Sequence, residues 1–304
     1  MKWGFLDRAI PDRKLPQNNR FYLHAPSAGQ RDPTMVWGTE IDADALHSYL
    51  RERNRNGRVV ITAAHAVMRA TALALVEFPE MNVRLVGRRI WAFRAVNVRL
   101  AFAHRRNNDI DVLIVQDANT KSLEQIATEV WQRLLEAGRG EGRRERYLTG
   151  MRRIPGFWLR QMFRIYFLLD RHFRLPVVGN LDKARAGAAT VNDLSFPGAP
   201  PMRWYKPSRF PDPSDSLHLT LGPMDSKVVA RGEHFASVNV MPLIVRGDHR
   251  LTDAHQVGRF VAAVRNLLNH PERLDAAVPS PTTASASSES SAGVPRDRAV
   301  AAHQ

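Results

Sequence analysis

The stretch from Val240 to Phe260 constrains this 304-residue chain more than any other, because its hydrophobic period changes from strand to helix within a few residues. Val240, Met241, Leu243, Ile244 and Val245 form an apolar, β-branched-rich run that reads as a buried strand leading into Arg246-Gly247. From Ala254 onward, Val257, Phe260, Val261, Val264, Leu267 and Leu268 recur at helical spacing, and Asp253 stands where a carboxylate caps a helix start. Strand and helix therefore bracket Asp248-His249-Arg250-Leu251-Thr252-Asp253. A titratable histidine at such a junction is held by both elements, as a general base must be. His249 is thus the first candidate catalytic residue.

The spacing His249-x-x-x-Asp253 within Asp-His-Arg-Leu-Thr-Asp-Ala resembles the signature of the chloramphenicol acetyltransferase-like superfamily. More narrowly it resembles the Asp-His-Arg-x-x-Asp-Gly pattern in the catalytic core of the dihydrolipoamide acyltransferases of 2-oxo acid dehydrogenase complexes. Upstream, Ala70 to Asn82 looks like that family's helix closing in Phe-Pro-x-x-Asn, and Val96 to Ala103 like the strand that follows. Asp117 to Glu129 resembles its turn and helix after the acyl-side strand. The run Gly187-Ala188-Ala189-Thr190-Val191-Asn192-Asp193-Leu194-Ser195 is similar to its Gly-x-Phe-Thr-Ile-Ser-Asn-Leu-Gly strand. The resemblance covers residues 57–138 and 187–274, in order.

It implies an α/β (α+β) fold, a mixed sheet flanked by helices. It also implies an acyltransferase that moves an acyl group between coenzyme A and a thiol, amine or hydroxyl acceptor by direct transfer. In that reading His249 is the base, and Asp253 fixes the loop through an arginine, Arg13 or Arg20. Asn192 falls where the family has a hydroxyl that donates to the tetrahedral oxyanion, and an Asn amide can donate in its place. The coenzyme A thioester is a substrate, no metal is implied, and the site lies between subunits of a homotrimer. The sequence departs from the family at Asn192, at Ala254 where the family has Gly, and along Ile110 to Val115, which lacks the Gly and Pro of the channel strand. The first two departures also fit a different class of protein, a non-catalytic trimeric scaffold that binds a membrane surface or protein partner through residues 152–175.

Three parts are expected: an N-terminal arm at 1–33, a catalytic domain at 34–275, and a disordered tail at 276–304, whose Ala, Ser, Pro and Thr cannot bury enough surface to offset ordering entropy. Nothing resembling a lipoyl or subunit-binding module is expected in this chain, so it reads as a stand-alone acyltransferase, or as one whose lipoyl partner is on another chain. Asp182-Lys183-Ala184 resembles the lipoylation tripeptide without a β-rich module around it and is assigned to chance. The formal charge of +14 favours anionic partners: coenzyme A, nucleic acid or an anionic membrane. No RNA-binding aromatic motif, zinc-ligand spacing or basic region with heptads appears, so nucleic acid ranks low. Zero Cys excludes disulfides, thiolate metal sites and a cysteine acyl-enzyme. With no signal-peptide core and no long apolar run, the default location is cytoplasmic, with peripheral membrane contact as the variant.

Inside the catalytic region, Arg152 to Leu175 stands apart. Phe157, Trp158, Leu159, Met162, Phe163, Ile165, Tyr166, Phe167, Leu168 and Leu169 are interleaved with Arg152, Arg153, Arg160, Arg164, Arg171 and Arg174. Arg160 and Arg164 lie four apart on one face, which makes a basic amphipathic helix. The family has a short polar connection here. Three readings compete: a helix capping the acyl pocket, a subunit-interface helix, or a helix lying on an anionic membrane; aromatic stripes at helical spacing are more often buried in protein than in lipid, which favours the first two. His65, on the Ala-rich helix predicted from Val59 to Phe78, reads as a core histidine or helix-face neighbour. His218 and His234 lack ligand-like partners in sequence.

Overall fold

The computed structural model describes residues 8–11, 14, 33–86, 89–103, 110–139, 154–173, 187–195, 199–200, 202–205 and 216–275. Arg13, Arg20, most of the expected arm, the Lys183 tripeptide and the tail from 276 lie outside the described residues.

The large sheet contains β2 (Thr34–Asp42), β5 (Val98–Ala103), β6 (Ile110–Val115), β7 (Ala189–Asp193), β8 (Leu217–Leu221), β9 (Asp225–Arg231) and β10 (His234–Asp248). Their order is β2-β10-β8-β7-β5-β6, with β9 paired to β10. The β7 strand runs parallel to β5 and β8, while the pairs β5–β6, β8–β10, β9–β10 and β2–β10 are antiparallel. This is a mixed sheet. A second, small sheet joins β1 (Arg8–Ala9), β4 (Arg89–Ala92) and β3 (Val83–Val86).

Strand β10 is longer than its apolar run suggests. Residues from His234 to Val240 carry no core-facing apolar period and are ordered by pairing with β9, whereas Val240 to Asp248 pair with β2. Strands β8 and β9 lie end to end along one edge of β10, with Leu221 opposite Leu243 and Asp225 opposite Val240. Residues 222–224 therefore face only 241 and 242, which is a β-bulge. Pro242 sits opposite this bulge, where a sheet tolerates a residue without an N–H. Gly222 donates to the Pro242 carbonyl at 2.8 Å, and a Cβ there would meet Pro242 Cγ at 2.5 Å.

Four helices pack on one face: α1 (Ala43–Asn56), α2 (Ala63–Glu77), α3 (Leu123–Gly138) and α5 (Ala254–Asn269). Strand alternation sends Val98, Leu100, Ala189, Val191, Leu217, Leu219, Leu243 and Val245 to this face, where they form one core with Val67, Leu75, Ile126, Phe260 and Val264. Helix starts are set by side chains. The Asp42 carboxylate accepts from Ala45 N–H at 3.0 Å and so caps α1, while Asp44 accepts instead from the Asn239 amide at 2.9 Å. Helix α2 begins at Ala63 rather than Val59, because the Asn54 side chain bonds both the N–H and the C=O of Ile61 and holds it extended. Helix α4 (Gly156–Phe173) occupies the aromatic, arginine-rich stretch.

Candidate active site

The second face of the sheet carries a polar row. Arg99, Thr190, His218 and Arg246 stand side by side on β5, β7, β8 and β10, all of them buried. In the next row Ala101, Asn192, Thr220 and Ile244 align. Half-buried Asn192 therefore shares a face with Thr190, as strand alternation requires. The Thr190 and Thr220 hydroxyls are buried without a hydrogen-bond partner among the described residues. Thr220 escapes sequence reading because its run, Leu217 to Leu221, shows only an apolar strand; its polar member becomes visible once register puts it beside Asn192. Trp204 stacks edge-on against His218, with centroids 5.8 Å apart, and so covers part of this face.

His249 leaves the end of β10, and its backbone N–H donates to Pro33 O at 2.8 Å. Leu251 and Thr252 N–H both donate to Asp248 O, at 2.9 and 3.2 Å, which closes a tight turn around the histidine. The buried Asp248 carboxylate clamps that turn. Its Oδ1 accepts from Arg250 N–H and Nε at 2.9 Å each, and its Oδ2 accepts from Arg250 Nη2 at 2.5 Å. Arg250 is thereby committed to the turn. Leu251 anchors the turn's apolar side among Val83, Leu85 and Ile90 of the small sheet.

The His249 ring is oriented by a backbone carbonyl: Nδ1 lies 3.1 Å from Thr252 O. A carbonyl only accepts, so Nδ1 is the donor, and in the neutral tautomer it is Nε2 that carries the lone pair. Thr252 is itself fixed, with its hydroxyl 3.0 Å from Gln256 Oε1 and 3.3 Å from Met81 Sδ. Asp253 ends this chain of restraints as the N-cap of α5, accepting from Gln256 N–H at 2.8 Å while Gln256 Oε1 accepts from Asp253 N–H at 3.3 Å. Its carboxylate thus sets where the helix begins and where the Thr252 carbonyl points. The expected arginine partners of Asp253, Arg13 and Arg20, lie outside the described residues. Ala254 is the first helical residue, a position that asks for no left-handed backbone.

His249 and Asp253 meet in one turn, but Asn192 does not join them. Its row crosses β10 at Ile244, and His249 lies five residues further on, just past the end of that strand. Five residues of strand and two interstrand spacings separate them by roughly 19 Å. Within one chain these candidates do not form one site.

His65 is neutral and structural. Its Nδ1 accepts from Thr62 N–H at 2.9 Å in a capping box, Trp131 stacks edge-on at 6.1 Å, and burial pushes its pKa down to about 4. A cavity of about 410 Å³ opens on the second face beside the bulge, at Asn192's end of the sheet, with Glu40, Arg203, Asp225, Lys227 and Pro242 in its wall. Its cations are already engaged: Lys227 and Arg203 both pair with Glu40, the latter at 3.1 Å.

The family described as 2-oxoacid dehydrogenases acyltransferase (catalytic domain) matches residues 27–151 and 213–276. The chain belongs to that family. His249 and Asp253 fall in the second matched segment of the acyltransferase domain, while Asn192 and α4 fall between the two. The fold is similar to that of Azotobacter vinelandii dihydrolipoamide acetyltransferase, with 16% identity, TM-score 0.59, and 87% of this chain and 93% of that one covered. The cubic core of the pyruvate dehydrogenase multienzyme complex aligns at 18% identity, TM-score 0.58, covering 90% and 95%. A chloramphenicol acetyltransferase aligns at 12% identity, TM-score 0.51, covering 86% and 100%. No curated protein matches the sequence. The superfamily and the mixed-sheet fold expected from the His249 motif are thus those of the acyltransferase domain.

Proposed function

We propose that this acyltransferase domain moves an acyl group between coenzyme A and a thiol, amine or hydroxyl acceptor, with His249 as general base. The observation that carries the reading is the 3.1 Å contact from His249 Nδ1 to the Thr252 carbonyl, which leaves Nε2 to take a proton. Nε2 removes the proton from the acceptor as the acceptor attacks the thioester carbonyl. The tetrahedral oxyanion then rests on the Asn192 amide. Collapse expels the coenzyme A thiolate, which regains the proton from the imidazolium. A single oxyanion donor of this kind is worth about 3 kcal/mol of transition-state stabilisation.

Because register sets His249 roughly 19 Å from Asn192, this chemistry needs His249 of one copy and Asn192 of another. A homotrimer with sites between subunits, as the family resemblance implies, meets that need. The acceptor to which the family points is a dihydrolipoyl thiol carried on another chain.

The test is release of coenzyme A from a panel of acyl-CoAs with dihydrolipoamide as acceptor. Wild type is expected to turn over and His249→Ala to lose at least a hundredfold in kcat. A His249→Ala enzyme that keeps its turnover rejects the base assignment. Inactive His249→Ala and Asn192→Ala variants that restore turnover when mixed would place the two residues in different copies.

A further inference from the structure

The two matched segments of the acyltransferase family leave out residues 152–212, and α4 lies in that gap. Five apolar side chains described on it face outward. Phe157 and Trp158 are each 63% exposed, and Ile165 and Leu168 each 57%; Met162 joins them. At 100° per residue these five fall within an arc of about 140°. Arg160 and Arg164 are exposed on the flank of that arc, where long cationic side chains reach outward while their stems border the apolar stripe. Residues 152–175 hold six arginines against a single carboxylate, Asp170.

We propose that α4 is a surface-docking helix for an anionic lipid bilayer, lying in the plane of the headgroups with Phe157, Trp158, Ile165 and Leu168 turned inward. Charge decides between the candidate occupants. A second α4 laid face to face on this one would set the same arginine-lined flank against it, so pairing of the two stripes is opposed by like charge. An anionic bilayer offers apolar cover to the stripe and negative charge to its flank at once. Among the described residues no helix is long and apolar enough to cross a membrane, so α4 lies on the bilayer rather than in it.

Co-sedimentation of the full chain with vesicles tests this independently of catalysis. Wild type is expected to bind phosphatidylcholine vesicles containing phosphatidylglycerol, and not phosphatidylcholine alone. Arg160→Glu/Arg164→Glu and, separately, Phe157→Ser/Ile165→Ser are each expected to lose at least about tenfold in partition. All four residues are exposed, so both variants keep the wild-type circular dichroism and unfolding transition. Absence of wild-type binding to the anionic vesicles overturns the proposal. Full binding by Phe157→Ser/Ile165→Ser overturns it too, because diffuse charge attraction would then suffice. If that variant instead breaks up a wild-type oligomer in the absence of vesicles, the stripe belongs to a second copy.

Discussion

Helix α5 and helix α4 are similar in length and in the spacing of their apolar residues, yet α5 buries Val257, Phe260, Val261, Val264 and Leu268 while α4 leaves Phe157, Trp158, Ile165 and Leu168 open. The difference lies in what each helix is attached to. The Asp253 cap joins α5 through a short clamped turn to the central strand β10, so its apolar stripe falls on the sheet and on α2, where Phe260 meets Phe78 edge-on at 6.3 Å. Helix α4 sits outside the two segments that match the family, and its apolar stripe is exposed rather than laid on the sheet. Helical spacing tells that a face needs cover; the residues beside that face tell what kind. Arginines on the flank of α4 point to anions, whereas α5 meets only its own core.

The sharpest way to test this contrast is to remove one aromatic ring from the buried helix. Phe260→Ala opens a cavity in the shared core of α2, α5 and the sheet, and should cost about 3–5 kcal/mol in denaturant unfolding. A loss under about 1 kcal/mol would mean that α5 is not held as the structure has it.

The buried side of the comparison also predicts a pH dependence. His65 on α2 is held neutral by burial, with its folded pKa pushed down to about 4 from 6.5. Between those values the unfolded chain binds the extra proton and the folded chain does not. The stability from the neutral ring is therefore complete above pH 6.5 and is lost as pH falls toward 4, a change of up to about 3 kcal/mol. His65→Gln keeps an N3 side chain able to close the capping box with Thr62, and should flatten this limb. An unchanged acid limb in the variant would assign it to other groups.

These two helices also mark where sequence reading stops. The junction at His249 was legible because strand, cap and helix are contiguous: Leu243 and Val245, then Asp253, then Val257 and Phe260 carry the signal within one short stretch. The order of the sheet was not, because the parallel pairing of β7 with both β5 and β8 joins segments far apart in the chain. The apolar run marks only the second half of β10, because His234 to Asn239 are ordered by β9 rather than by a core. For the candidate site, the His249–Asp253 spacing shows in the sequence, but the Thr252 carbonyl that orients the ring does not, since backbone groups leave no mark there. Nor does the sequence show that Asn192 stands several residues of strand and two strands away from His249, a matter of register alone.

A smaller effect probes the start of α5 rather than its face. Asp253→Ala removes the cap and should cost about 0.5–2 kcal/mol, and by freeing the Thr252 carbonyl it should lower kcat as well. Asp253→Asn keeps a capping oxygen and should stay within a few tenths of a kcal/mol of wild type. If Asp253→Asn unfolds normally but loses turnover, the negative charge matters in itself. The arginine pairing expected for this residue would then be the role to pursue.

The smallest effect falls on α4 and decides most about it. Trp158→Ala removes as large a ring as any in the chain, and in a core such a change costs about 3–5 kcal/mol. Trp158 is exposed, touching Phe157 edge-on at 5.4 Å, so the expected loss in the isolated chain is within about 0.5 kcal/mol. The same substitution measured with anionic vesicles present should show a clear deficit, because bound lipid stabilises only the chain that can bind it. A large loss without vesicles would mean that α4 is buried in the solution species, as α5 is, and the two helices would then differ only in which copy covers them. A null result in both conditions would leave Trp158 outside the docking face and shift the contact to Ile165 and Leu168, about two to three turns further along the helix.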